Sequence, residues 1–114
     1  LCAADKISRS KVPIHTYCEG ETASGATLMS VCGARRFMTK HSIFLIHQLS
    51  SDIWGKFVEL KEEVQNLELM MGIIKDIYLS KTSIPEKELD DLLKHDMYLP
   101  PETCLQWKFV DEII

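Results

Sequence analysis

At 114 residues with 46% hydrophobic content, the chain has the length and apolar content of one domain with a filled core, spanning residues 1–114, and disorder is not indicated. A formal net charge of -4 with scattered basic residues argues against a nucleic-acid-binding surface; the one adjacent pair, Arg35-Arg36, reads as a solvated strand edge. No apolar run approaches the roughly 20 residues that span a bilayer, and no charged-then-apolar leader opens the chain, so a cytoplasmic protein with no membrane partner is expected.

Cys2, Cys18, Cys32 and Cys104 contain no CxxC pair, which indicates neither a disulfide framework nor a zinc site. They read as reduced thiols packed as small apolar groups. His15, His41 and His95 lack metal-ligand spacing as well, so no metal site is expected.

Leu1, Ala4 and Ile7 recur at helical spacing with no cap before them, so the chain is expected to begin inside a helix and to lack an upstream segment. Val12, Ile14, Thr16 and Cys18 alternate onto one face and predict a strand over 12–20, with Pro13 near its start. Small and apolar residues over 23–32 suit a buried helix, with Gly33 at a left-handed closing position. Two short strands follow, 35–39 and 43–47, around a polar turn at Lys40-His41-Ser42. The second is continuously apolar, as in a strand covered on both faces, and the polar pair His47-Gln48 emerges where it leaves the core.

The clearest periodicity comes next. Phe57, Leu60, Val64, Leu67, Met71, Ile74 and Tyr78 step by three or four residues and predict one helix over about 53–80. At about 1.5 Å per residue it would reach roughly 40 Å, more than a domain of this size requires. Val58, Leu69, Met70 and Ile73 widen its apolar face, which leaves packing against another subunit and packing within the domain both open. Ser83 as cap with Glu86 at capping-box distance predicts a helix over 85–94. Residues 97–99 are strand-like, 101–107 a short helix and 109–114 a last strand-like segment, which completes an α/β alternation.

Three residues carry chemistry. Ser24, His47 and Asp96 supply the hydroxyl, imidazole and carboxylate that acyl transfer uses as nucleophile, base and orienting group. Ser24 falls at a strand-to-helix turn, where the first helical N–H groups have no internal partner and the dipole is positive, so the Gly25 N–H is a candidate donor to a tetrahedral oxyanion. Simple helix capping by Ser24 is the competing role. For His47 it is a strand-end histidine bonded to nearby backbone.

The combination of Gly20-Glu21-Thr22-Ala23-Ser24, Gly33-Ala34-Arg35-Arg36-Phe37 with His41-Ser42, Ile46-His47-Gln48, the long helix, and Asp96-Met97-Tyr98-Leu99 leading to Phe109-Val110-Asp111-Glu112 resembles the ClpP family of self-compartmentalised serine peptidases. That resemblance implies the fold shared with crotonases, a spiral of ββα units with a projecting "handle" helix. It implies Ser24 as nucleophile, His47 as base and then acid, Asp96 as orienting carboxylate and Gly25 as oxyanion donor. It further implies a homo-oligomeric ring, usually two stacked heptamers, acting on unfolded proteins or peptides fed in by an AAA+ unfoldase. ATP would be that partner's cofactor and this chain would need none. The setting would be the cytoplasm, an organelle matrix or a stroma.

The sequence departs from the family pattern at Gly25, usually methionine, at Leu49, usually proline, at Lys108, usually glycine, and at His95, often an arginine that pairs across the ring interface. The last change implies a weaker, pH-dependent ring contact. The family's upstream glycine-rich segment, which contributes an oxyanion donor and part of the substrate groove, would precede Leu1. A catalytically inactive structural ring subunit and a crotonase-fold acyl-CoA enzyme, which would use backbone N–H groups toward an enolate, are the alternative readings. A signal-peptide-peptidase relative, with its lysine base and membrane setting, fits Ile46-His47-Gln48 poorly.

Overall fold

Two consecutive strand–strand–helix units stack on each other, and their stacking builds both sheets. The computed structural model describes residues 1–47, 49, 50 and 52–114. After α1 (Cys2–Ser8), the first unit is β1 (His15–Cys18), β2 (Glu21–Ala23) and α2 (Gly25–Val31). The second is β3 (Arg35–Met38), β4 (Ile43–Ile46) and the long α3 (Phe57–Lys81). Then follow α4 (Glu86–Leu93), β5 (Met97–Leu99), α5 (Pro101–Gln106) and β6 (Glu112–Ile113).

Each strand of the first unit pairs in parallel with its counterpart in the second, β1 with β3 from His15↔Arg35 and β2 with β4 from Glu21↔Ile43. Parallel neighbours need a crossover, and α2 provides it. Gly20 at φ +69° turns the chain from one sheet into the other, a conformation that glycine adopts without a Cβ penalty. The sheets are completed as β1-β3-β6 and β2-β4-β5, with β5 antiparallel to β4. The expected α/β spiral of ββα units is therefore present.

Between these layers Phe44, Phe109, Met38, Ile46, Leu89, Val31 and Val110 are fully buried. Phe109 lies at the centre, its ring 5.9 Å from Phe44, 6.1 Å from Tyr78 and 6.4 Å from Trp107. Burying each large apolar side chain contributes about 2 kcal/mol by transfer alone.

The long helix resolves into two halves. Met71, Ile74, Ile77 and Leu79 pack on the core and Tyr78 is buried within it, whereas Phe57, Val58, Val64 and Leu69 are exposed. Lys75 fixes the packed half to α4, with Nζ 2.9 Å from Glu86 and 2.8 Å from Asp90.

Several expectations are corrected. The first strand starts at His15, and Val12 and Ile14 are exposed, because β3 pairs only from Arg35 onward. Residues 21–23 form a separate strand, too short to show alternation and fixed by pairing with β4. Ile43 and Leu45 are half-exposed, so only one face of β4 is fully buried. α3 begins at Phe57, four residues after the expected start. The cap of α4 is Pro85, so no capping box forms; the Ser83 N–H instead donates to the Trp107 carbonyl at 2.8 Å. Only Glu112–Ile113 of the last segment pairs as strand, while Phe109 and Val110 serve the core.

Gly33 also departs from expectation: it is not among the residues at positive φ. Its reason is space, since a Cβ there would stand 2.7 Å from Thr16 Oγ1 and 2.8 Å from Thr16 Cγ2. Nor is Arg35-Arg36 a strand edge, because β3 is the middle strand of its sheet. Arg35 pairs with Glu112 in the open, but the Arg36 guanidinium donates to the carbonyls of Val31 and Lys81 at 3.1 and 2.8 Å.

Candidate active site

Parallel pairing of β2 with β4 decides what meets what at their ends. Ser24 follows β2 directly and His47 follows β4, so both emerge at the carboxyl ends of adjacent strands, where ligands bind in open α/β sheets. The Ser24 N–H donates to the Leu45 carbonyl at 3.2 Å, which extends the ladder by one step. The Ser24 Oγ then lies 2.5 Å from Nε2 of His47.

Ser24 holds φ 54° and ψ -122°, a combination that costs a residue bearing a Cβ about 1–3 kcal/mol. A sharp strand-to-helix turn of this kind lifts the side chain clear of the backbone. Ser24 occupies the cap position of α2, yet its hydroxyl makes no capping bond. The competing capping role is thus absent, and the oxygen faces the imidazole instead.

Asp96 immediately precedes β5, whose antiparallel register pairs Met97 with Ile46. One further step of that register sets Asp96 opposite His47. The two line one cavity of about 520 Å³ together with Leu45, Ser50 and Tyr98. Asp96 is exposed and His47 partly buried. Gln48, the last residue of the histidine motif, lies outside the described residues.

Gly25 is the first residue of α2, so its N–H falls among those that an α-helix leaves without an internal partner. A Cβ at Gly25 would meet open space, and glycine is not sterically required there. Beside it, a cavity of about 210 Å³ is lined by Ser24, Gly25 and His47 together with apolar residues that include Leu28, Leu49, Met70 and Ile74. Its lining suits an apolar side chain next to the serine.

Two residues that sequence reasoning assigned only to packing stand close behind Ser24. Thr27 Oγ1 donates to the Ser24 carbonyl at 2.5 Å, and the Thr27 N–H donates to the same oxygen at 3.1 Å. The Tyr78 hydroxyl from α3 lies 2.5 Å from Thr27 Oγ1. Burial pushes the Tyr78 hydroxyl up to about 12. The signals were a threonine three residues into a helix, able to bond back to the turn before it, and a tyrosine among apolar positions, whose hydroxyl needs a partner when buried.

The remaining histidines lie elsewhere: His15 is exposed on β1, His41 is exposed in the turn between β3 and β4, and His95 is exposed just before Asp96. Cys18, Cys32 and Cys104 are buried free thiols and Cys2 an exposed one. Burial pushes the Cys104 thiol up to about 12, which leaves it protonated and unreactive. Among the described residues no group of three or more His, Cys, Asp or Glu stands close enough to hold a metal ion, and no helix is long and apolar enough to cross a membrane.

A family model described as Clp protease matches residues 1–114. The chain is 25% identical over 116 residues to the ATP-dependent Clp protease proteolytic subunit of Deinococcus radiodurans, covering 100% of this chain and 57% of that protein. It is 28% identical over 114 residues to the ATP-dependent Clp protease proteolytic subunit 1 of Chlamydia caviae, covering 96% of this chain and 60% of that protein. The chain therefore spans somewhat more than half the length of these curated relatives.

Proposed function

The chain belongs to the Clp protease family, and from that premise we propose that it is part of a serine endopeptidase subunit that cleaves unfolded polypeptides with Ser24, His47 and Asp96. The observation that carries this reading is the Ser24 Oγ at 2.5 Å from His47 Nε2, on a strained turn that leaves the hydroxyl no capping role.

In this mechanism the Ser24 oxygen attacks the scissile carbonyl carbon while its proton passes to His47 Nε2. Asp96, across the register from His47, orients the imidazole and stabilises its protonated form. The oxyanion of the tetrahedral intermediate accepts from the Gly25 N–H, a bond worth about 3 kcal/mol in such sites. Collapse breaks the C–N bond, His47 returns its proton to the departing amine, and a water activated by His47 hydrolyses the acyl-enzyme. The apolar cavity beside Ser24 supports a preference for an apolar side chain on the acyl side.

The subunit would act in a homo-oligomeric ring joined through the exposed half of α3, supplied by an AAA+ unfoldase. ATP is that partner's cofactor. The relatives' names, which include "ATP-dependent" and "proteolytic subunit", support this reading.

The test treats the assembled full-length protein with a fluorophosphonate probe and maps the modified residue. Labelling at Ser24 that vanishes in Ser24→Ala and His47→Ala is expected. An intact assembly that takes up no probe overturns the peptidase reading in favour of an inactive structural ring subunit.

A further inference from the structure

The Ser24 carbonyl and the Gly25 N–H belong to one peptide unit, which is planar, so fixing the carbonyl fixes the direction of the N–H. That carbonyl accepts from both the N–H and the hydroxyl of Thr27. Thr27 is fully buried. Its one hydroxyl proton goes to the carbonyl, so the Tyr78 hydroxyl is the donor in the bond between their oxygens, 2.5 Å apart.

We propose that Tyr78 and Thr27 are positioning residues for catalysis: the chain from the Tyr78 hydroxyl through Thr27 Oγ1 to the Ser24 carbonyl sets the Gly25 N–H toward the oxyanion. This rests on the peptidase reading above and deepens it. The geometry gives each link a reason. Tyr78 is 2% exposed on the packed half of α3, so its hydroxyl cannot turn to solvent and must be satisfied inside. A short side chain at position 27 without an oxygen would leave that hydroxyl orphaned and release one of the two bonds on the Ser24 carbonyl.

The unit being held is strained. Ser24 at φ 54° reverts readily toward ordinary backbone angles unless its surroundings over-determine it, and rotation of the 24–25 peptide would swing the N–H away. The second contact on the carbonyl makes the turn rigid, and the tyrosine places that rigidity under control of α3. The Tyr78 hydroxyl, raised by burial, stays a donor throughout the neutral range.

The experiment measures kcat and KM of the assembled full-length protein on an apolar peptide ester for Tyr78→Phe, Thr27→Val and Thr27→Ser. Loss of a whole oxyanion donor costs 100-fold or more in kcat, so loosening one is expected to lower kcat about 10-fold in Tyr78→Phe and Thr27→Val, with KM within about twofold. Thr27→Ser keeps the hydroxyl and is expected to restore most of the rate, which a loss of packing alone would not allow. Unchanged kcat in Tyr78→Phe, or Thr27→Ser as slow as Thr27→Val, overturns the assignment. Should Thr27→Val fail to assemble, Tyr78→Phe, which removes one oxygen and keeps the ring, carries the test. Fluorophosphonate labelling of the parent protein is the separate control: its absence sinks the peptidase reading, whereas labelled parent and indifferent variants sink only this one.

Discussion

Ala23 and Leu45 are register partners in the parallel β2–β4 pair, and the serine one residue past Ala23 and the histidine two residues past Leu45 are brought to 2.5 Å across 23 positions of sequence. The short distance between Ser24 and His47 is thus a property of two stacked ββα units. Neither side chain has to search for the other, because the backbone ladder has already aligned the strand ends, down to the Ser24 N–H bond to the Leu45 carbonyl. Antiparallel addition of β5 brings Asp96 to the same edge by the same means.

Strain at Ser24 can be read by comparing two variants that both lack the hydroxyl. Ser24→Gly is expected to be more stable than Ser24→Ala by about 1 kcal/mol, the reverse of the usual order beside a helix, because only glycine takes φ 54° freely. Denaturant unfolding of the two proteins measures this. Equal stability, or a more stable alanine variant, would mean that the turn carries no strain.

How much of this was legible beforehand depended on where the determining contact lies. Ser24, His47 and Asp96 could be singled out because each sits at an element end marked by local pattern, and α3 because its period persists over many turns. The three-residue strand Glu21–Ala23 had no pattern to show, since its existence depends on a partner more than 20 residues away. By local pattern Gly33 suits a helix-closing position, whereas its role is to make room for Thr16, a contact visible only once β1 and β3 are paired. The Tyr78–Thr27 bond joins residues 51 positions apart on two helices, and the periodicity of Tyr78 reported burial but not the partner of its hydroxyl.

Lys108 is the second non-glycine residue at positive φ among the described residues, at 59°. It closes α5, where the Phe109 N–H donates to the Cys104 carbonyl at 2.8 Å and the Lys108 N–H to the Leu105 carbonyl at 3.2 Å, the paired bonds of a Schellman motif. Glycine is the preferred residue at that position. Lys108→Gly is expected to stabilise the protein by about 1 kcal/mol with labelling at Ser24 unchanged. A lower denaturation midpoint in the variant would contradict this account of the turn.

Gly33→Ala is expected to destabilise by about 1–3 kcal/mol, because the new Cβ meets a β-branched side chain that is stiff in a strand and donates to the Ser30 carbonyl at 2.9 Å. Thr16→Ala removes the obstacle. In a double-mutant cycle the pair should cost clearly less than the sum of the single changes, and strict additivity would show that Thr16 is not the obstruction.

Burial gives stability an alkaline limit. Tyr78 ionises near 10 when unfolded and at about 12 in the fold, so the fold favours its neutral form. Its contribution is therefore complete below pH 10 and is lost as pH rises from 10 toward 12, by about 3 kcal/mol in all. Cys104, also raised to about 12 by burial, acts in the same direction from about 9. Urea unfolding at pH 8, 10 and 11 is expected to show a falling stability whose slope is reduced in Tyr78→Phe; parallel curves for the two proteins would exclude Tyr78 as a source.

Leu69 tests the proposed ring contact without touching the core. It is 68% exposed on α3 and belongs to the face that carries Val58 and Ile73, so within one subunit Leu69→Asp alters stability by no more than about 0.5 kcal/mol. In an assembly that buries this face, the same change places a carboxylate in an apolar contact, at a cost of several kcal/mol unless it is paired. Sedimentation of the full-length variant is expected to show smaller species with the helix content and unfolding midpoint of the separated subunit retained. An assembly of undiminished mass would show that the exposed half of α3 is not where subunits meet, and a drop in subunit stability would instead place Leu69 within the fold.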